Sequence, residues 1–187
     1  MTPQTGQDDV VSLLVAQHER IRSLFEEVDK AVGREAKQAR FNELRRLLAV
    51  HETAEELIVH PEARHADGGS EVVNARLQEE RDAKEVLVDL DRMEVTDPEF
   101  LDRLALLRQA VLDHATSEER EEFPLLRQNT SDKKLARMAS AVRAAEAMAP
   151  THPHPGVESL TANLVFGPVA SVVDRTRDVV RAVLGRD

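Results

Sequence analysis

The sequence predicts an all-α protein, an up-down-up-down four-helix bundle with additional C-terminal helices. Four long segments carry apolar residues at alternating steps of three and four, the spacing of a buried seam on a helix. The Gly (7) and Pro (8) residues are few and clustered, so strands and hairpins are not expected. A chain of 187 residues is long enough for one domain with a substantial core.

The first two helices are predicted at about 9–32 and 35–60. Asp8 or Asp9 can cap the first helix, and Gly33 can end it. The residues along the two seams are Val11, Leu14, His18, Ile21, Phe25 and Val28, and then Phe41, Leu44, Leu48, His51, Glu55 and Ile58. Both seams therefore place ionisable side chains where a core residue is expected.

The third and fourth helices are predicted at about 71–94 and 98–128. Asp97 is the expected N-cap of the fourth helix, with Pro98 at its first position. The residues along these seams are Val73, Leu77, Glu80, Ala83, Leu87 and Leu90, and then Leu104, Leu107, Val111, His114, Glu118, Glu121 and Leu125. These two helices also carry polar residues on the inner face.

The ends of the chain are predicted to be appendages of this bundle rather than a second domain. Residues 1–8 form a flexible arm, 9–128 the bundle, and 129–187 a helical extension that packs on it. The extension begins with a short helix at 132–148, capped by Ser131. Its last amphipathic helix, about 168–184, is expected to pack outside the bundle. A dimer contact stays open, whereas a weakly basic polar face disfavours a membrane-surface role.

Composition excludes several classes of function. A net charge of −10 argues against a nucleic-acid partner. Without cysteine there are no disulfides, thiolate sites or iron–sulfur clusters, so His, Asp and Glu are the available ligands. The polar N-terminus is unlike a signal peptide, and no apolar run approaches the ~20 residues of a membrane span. A cytoplasmic protein without a membrane partner is expected, as a monomer or a dimer.

The central motif is H-x-x-x-E, which occurs at His51–Glu55 and again at His114–Glu118. Residues four apart lie on one helix face, so each copy aims an imidazole and a carboxylate at one place. Burying so many ionisable groups is costly unless something compensates them, and first-row transition metals bind neutral imidazoles and carboxylates. The predicted metal ligands are His18, His51, Glu55, Glu80, His114 and Glu118.

Each of these residues has a simpler explanation when it is taken alone. His18 could be a hydrogen-bonded core histidine, and Glu80 could pair with Lys84 four residues later. The H-x-x-x-E spacing also arises by chance. The metal site is favoured because all six residues fall on predicted seams at comparable depth. The other histidines are off the seams: His60 and His65 are expected at the surface, and His152 and His154 in an extended linker.

The order H…H-x-x-x-E…H-x-x-x-E, closed by Phe123-Pro124, resembles the hemerythrin-like, or HHE cation-binding, domains. The resemblance covers about residues 9–128 and extends to actinobacterial members with a proline-rich tail. It implies two non-haem iron ions, bridged by oxo or hydroxo groups and by Glu55 and Glu118. It further implies His18, His51 and His114 as terminal ligands.

The third helix departs from this family pattern. Glu80 stands where the family usually has a histidine, and Lys84 where the oxygen carriers have a second one. Carboxylates favour Fe(III) more than imidazoles do. The expected function is therefore binding of, or reaction with, peroxide, O2 or NO, with catalase-like peroxide removal or nitric oxide defence favoured over oxygen transport. No residue is predicted to be a catalytic acid or base.

Two other functions stay open at this point. A ferritin-like iron oxidase or store suits the carboxylates, but such sites use E-x-x-H rather than H-x-x-x-E. A metal-free helical bundle whose tail binds a partner is the other alternative.

Overall fold

The computed structural model describes residues 9–148, 174 and 176–182, and these ranges are helical without a strand. The predicted up-down-up-down bundle is confirmed. Two π-helical turns, at Glu55–Val59 and Glu118–Glu122, each join two α-helical segments into one continuous helix. The helices are α1 Val10–Lys30, α2 Arg34–Ala54, α3 His60–Ala63, α4 Gly69–Asp91, α5 Phe100–Ser117, α6 Phe123–Asn129 and α7 Asp132–Met148.

The helix ends follow the predicted capping in part. Asp9 caps α1, since its side chain accepts a 2.7 Å hydrogen bond from the Ser12 backbone N–H. The predicted cap at Asp97 is wrong, because its Oδ2 accepts from the Glu94 backbone N–H (2.8 Å) in the preceding turn. Helix α5 begins three residues later, at Phe100.

Two apolar clusters fill the bundle and enclose a polar layer between them. The first lies at one end and joins α1, the first π turn, α6 and α7; it includes Leu14, Ala54, Ile58, Phe123 and Leu135. The second fills the other end and includes Ile21, Phe25, Leu48, Leu107 and Val111. The polar layer consists of the ionisable residues on the inner faces of the helices, which lie between the two clusters. Apolar side chains therefore cover the layer on both sides.

The described part of the C-terminal extension packs on the first cluster. Leu135, Met138 and Val142 of α7 are buried there, and Val180 of the 176–182 segment joins them. Residues 149–173, with His152 and His154, lie outside the described residues. No helix in the described part of the chain is long and apolar enough to cross a membrane.

The corner between α3 and α4 requires glycine at position 69. A Cβ there would lie 2.0 Å from the Ala63 carbonyl oxygen, which is backbone and cannot move aside cheaply. Gly69→Ala is therefore expected to lower the free energy of unfolding by about 1–3 kcal/mol, measured by urea denaturation. The neighbouring Ser70→Ala, at an exposed position, should change it by less than about 0.5 kcal/mol. Equal effects of the two substitutions would contradict this.

Candidate metal centre

The six predicted ligands are all buried in the polar layer, and two overlapping groups form among them. In one group, ligand atoms of His18, His51, Glu55 and Glu118 lie within 4.8 Å of one another. In the other, Glu55, Glu80 and His114 do so. Glu55 belongs to both groups, so two groups that could each hold a cation share one carboxylate.

Glu118 also faces both groups. Its Oε2 lies 3.3 Å from Nε2 of His18, and its Oε1 lies 3.5 Å from Nε2 of His114. The His51 Nε2 in turn lies 3.2 Å from Oε1 of Glu55. Each H-x-x-x-E pair therefore brings its imidazole and carboxylate together, as the helical spacing predicted.

Each of these three imidazoles is held at Nδ1 by an acceptor from another helix. His18 Nδ1 donates to Glu119 (2.8 Å), and His51 Nδ1 donates to the Gln17 side-chain oxygen (2.9 Å). His114 Nδ1 donates to Glu79 at 3.0 Å. When Nδ1 alone carries the proton, as metal binding requires, the lone pair of Nε2 points into the layer, which is the usual arrangement of a metal-binding histidine and its outer partner.

Five atoms at the centre of the layer have no hydrogen-bond partner among the described residues. Both carboxylate oxygens of Glu55 and of Glu118, and Nε2 of His114, are buried without a hydrogen bond. The Nε2 atoms of His18 and His51 face each other at 3.0 Å. Oriented lone pairs and carboxylate oxygens without donors are a costly arrangement that cations would stabilise, so the donor set fits a metal site.

The pKa shifts follow from this crowding. Burial, and then the neighbouring His18, lower the pKa of His51 well below its usual value, so it is neutral as a ligand must be. Burial, and then the charge of Glu118, raise the pKa of Glu55 well above its usual range. Burial alone would also raise the pKa of Glu118, but His114 and His18 lower it to about 2.

Glu80 differs from the other carboxylates because both of its oxygens have donors. His60 Nε2 donates to Oε1 (2.7 Å), and Lys84 Nζ donates to Oε2 (3.3 Å). Each carboxylate oxygen has two lone pairs, so these bonds leave Glu80 able to bind a metal ion. The Lys84 ammonium also lies 3.3 Å from Glu52 and 2.9 Å from Glu56.

The predicted surface position of His60 is wrong. Its side chain is 3% exposed, and its Nδ1 donates to Glu122, itself fully buried, at 2.8 Å. Burial opposes protonation, but the two carboxylates on either side raise the pKa of His60 to about 10. His65 is exposed, as predicted.

The π turns explain why His60 and Glu122 were missed. In a regular helix His60 would lie ~140° around the axis from Glu55. The His60 backbone N–H instead donates to the Glu55 carbonyl, an i to i+5 bond that brings His60 back to the inner face. The turn at 118–122 places Glu122 inside and leaves Glu121 outside, so the predicted seam position of Glu121 is wrong. A proline follows each π turn, Pro61 and Pro124, and these prolines were the sign in the sequence that the helical period changes there.

A small cavity lies against this layer. It has a volume of ≈ 20 Å³, which is room for about one water-sized molecule. The site contributes His18, His51, Glu80 and His114 to its walls, and Glu52 is a further polar residue there. Apolar walls complete it, from Ile21, Leu48, Ala83, Val111, Leu112 and Ala115.

Two known proteins resemble this chain, one in fold and one in sequence. The crystal structure of a hemerythrin HHE cation binding domain-containing protein from Mycobacterium kansasii has the same fold, with a TM-score of 0.68 over 95% of this chain and 98% of that one at 20% identity. A protein of Nostoc sp. named DNA nickase is 25% identical over 138 residues. The match covers 74% of this chain but only 39% of that relative.

The family model of the hemerythrin HHE cation binding domain matches residues 9–126. That range contains α1 to α5, both π turns and every residue of the polar layer described above. The chain belongs to the hemerythrin HHE cation-binding family.

Proposed function

We propose that this chain holds two iron ions in the polar layer and reacts with peroxide or a diatomic ligand, with peroxide removal the favoured reaction. The observation that carries the proposal is the pair of buried carboxylates, Glu55 and Glu118, without donors and faced by imidazole Nε2 atoms. We assign His18 and His51 to the first ion and His114 and Glu80 to the second. Glu55, which belongs to both groups, and Glu118, which faces both, would be shared by the two ions.

The donor set favours iron among the common metals. Thiolates are absent from the chain, and a mixture of imidazoles and carboxylates suits iron, which exchanges electrons with small oxygen and nitrogen ligands when it is bound. Glu80 adds a third carboxylate, which favours Fe(III) and therefore disfavours reversible oxygen carriage. Lys84 and His60 both donate to Glu80 and hold it beside the place proposed for the second ion.

The size of the cavity limits the size of the ligand that can bind. A volume of ≈ 20 Å³ suits a ligand close to water in size, such as a diatomic molecule or hydrogen peroxide, better than an organic hydroperoxide. The apolar walls exclude bulk water, and Glu52 with its partner Lys84 provides the polar side of the cavity. The net charge of −10 disfavours a nucleic-acid partner, so we do not propose a nickase activity for this chain.

The extension is proposed to support the same site. We assign residues 9–128 to the bundle and 129–187 to an extension that belongs to the same domain. Glu146 of α7 accepts a 3.4 Å hydrogen bond from the Gln17 side chain, and Gln17 holds His51 Nδ1. The extension is thus connected to the proposed ligand His51 through one residue, Gln17.

Metal analysis and spectroscopy test the proposal directly. Protein loaded with Fe(II) without oxygen and then oxidised is expected to contain two iron ions per chain. With no Trp or Tyr, the chain absorbs little near 280 nm, so near-ultraviolet absorption of a bridged diferric centre will stand out. Hydrogen peroxide should be consumed and cumene hydroperoxide should not. Protein that takes up no iron would refute the proposal, and equal consumption of both peroxides would refute the role of the cavity.

A further inference from the structure

The chain contains one longer pattern twice, and the copies differ at one informative position. The first reads His51-x-x-x-Glu55-x-x-x-x-His60-Pro, and the second reads His114-x-x-x-Glu118-x-x-x-x-Phe-Pro. In both copies a π turn begins at the glutamate and returns the residue five positions later to the inner face. Positions 60 and 123 are therefore equivalent places in the two halves of the site.

The two residues at these places have different contacts. Phe123 stacks on the ring of His18, with ring centroids 5.7 Å apart and an interplanar angle of 11°. It provides an apolar wall beside a proposed ligand of the first ion. His60 instead donates from Nε2 to Oε1 of Glu80, at 2.7 Å, and from Nδ1 to Oε1 of Glu122, at 2.8 Å.

We propose that His60 is the positioning residue for Glu80 and thereby for the second ion, an inference that rests on the two-iron function proposed above. Both the backbone and the ring of His60 are held: its N–H closes the π turn by donating to the Glu55 carbonyl, and its ring donates to Glu122, which is fully buried. The other donor to Glu80 is Lys84, which has a long side chain that is 39% exposed and shared among three carboxylates.

The chemical reason is that a lone buried carboxylate has many orientations open to it. Glu80 is the only ligand proposed from α4, so no neighbouring turn provides a second ligand that would fix its direction. A donor at Oε1 restricts the carboxylate and leaves its remaining lone pairs for the ion. Loss of such an outer partner weakens metal binding by about 10–100-fold in known sites.

The test compares His60→Phe, which copies the residue at the equivalent position 123, with His60→Gln, which keeps a side-chain donor. Each protein is titrated with Fe(II) without oxygen, and iron per chain and the near-ultraviolet spectrum are then recorded. Wild type and His60→Gln are expected to take two ions. His60→Phe is expected to keep one ion and to bind the second at least about 10-fold more weakly.

Two further variants separate positioning from a merely structural role. Phe123→Leu, at the equivalent place, should lower the midpoint of thermal unfolding but leave two ions per chain. Glu122→Gln keeps the His60 ring and weakens its anchor, so it should weaken the second ion even if His60→Phe fails to fold.

The outcomes distinguish this inference from the proposed function. Two ions and an unchanged spectrum in both His60→Phe and Glu122→Gln would overturn the inference and leave the two-iron function intact. Loss of the second ion in His60→Gln as well would overturn positioning in favour of direct ligation by the ring. Wild type without iron would overturn the proposed function and this inference together.

Discussion

Replacing Glu55 with glutamine is expected to stabilise the metal-free protein while it abolishes the two-iron site. Both Glu55 oxygens are buried without a donor, and burial together with Glu118 raises the pKa of Glu55. At neutral pH, folding therefore carries the cost of protonating this carboxyl group or of burying its charge. Glutamine has the same shape, no charge and an amide that can donate to Glu118. We expect a gain of about 1–3 kcal/mol in the free energy of unfolding at pH 7.

The sign of the pH dependence follows from the raised pKa. Below the unfolded-state value of about 4.3, Glu55 is protonated in both states and the cost disappears. As the pH rises above that value, the unfolded chain loses the proton first, and the folded wild type becomes progressively less favoured. The stability curves of wild type and Glu55→Gln should therefore meet near pH 4 and diverge towards pH 7.

Glu118→Gln is the matched control because the pKa of Glu118 is lowered in the folded protein, whereas that of Glu55 is raised. Although burial opposes ionisation, His114 and His18 hold the pKa of Glu118 at about 2, so the anion is stabilised in the folded state. Removing this charge should cost about 1–3 kcal/mol in the metal-free protein, while iron binding is again lost. Urea titrations of chelator-treated protein measure both variants. Stability changes of the same sign would contradict the assigned roles.

The prediction of the fold from the sequence succeeded where the helical period is regular. The seams of α1 and α4 brought His18 and Glu80 inside, and the spacing of each H-x-x-x-E pair brought its two members together. The start of α5 was missed because Asp97 has two possible uses, as an N-cap or as an acceptor in the preceding turn, and the tertiary structure selects the second.

The sequence failed to predict part of the site for a physical reason. A constant helical period cannot predict a turn that takes one extra residue, so the predicted seams left His60 and Glu122 outside the layer. The partners of the imidazoles were missed for a different reason. Gln17, Glu79 and Glu119 come from helices other than those of the rings they hold, and side chains on exposed-looking positions give no sign of which neighbour they will reach.

Iron is expected to stabilise the folded protein strongly, because the proposed ligands come from all four long helices, α1, α2, α4 and α5. A ligand that binds only the folded state stabilises it by about 4 kcal/mol when its free concentration is 1,000 times its Kd. For a chain of this size each kcal/mol raises the midpoint of thermal unfolding by about 2–4 °C, so loading should raise it by about 10 °C. Calorimetry of loaded and chelator-treated protein measures the difference.

Glu55→Gln is the control that locates this effect in the polar layer. The variant keeps other groups that could bind iron weakly, such as the exposed His65, which lies 4.0 Å from Glu62, but it lacks the carboxylate shared by both groups of ligands. Its unfolding midpoint should start above that of metal-free wild type and stay nearly unchanged on loading. A rise as large as that of wild type would mean that the stabilising iron binds elsewhere. The expected result is that iron raises the unfolding midpoint of wild type but not that of Glu55→Gln. It would indicate that the helices of the metal-free bundle hold Glu55 in an unfavourable place, and that the metal turns this arrangement into the most stable contact between them.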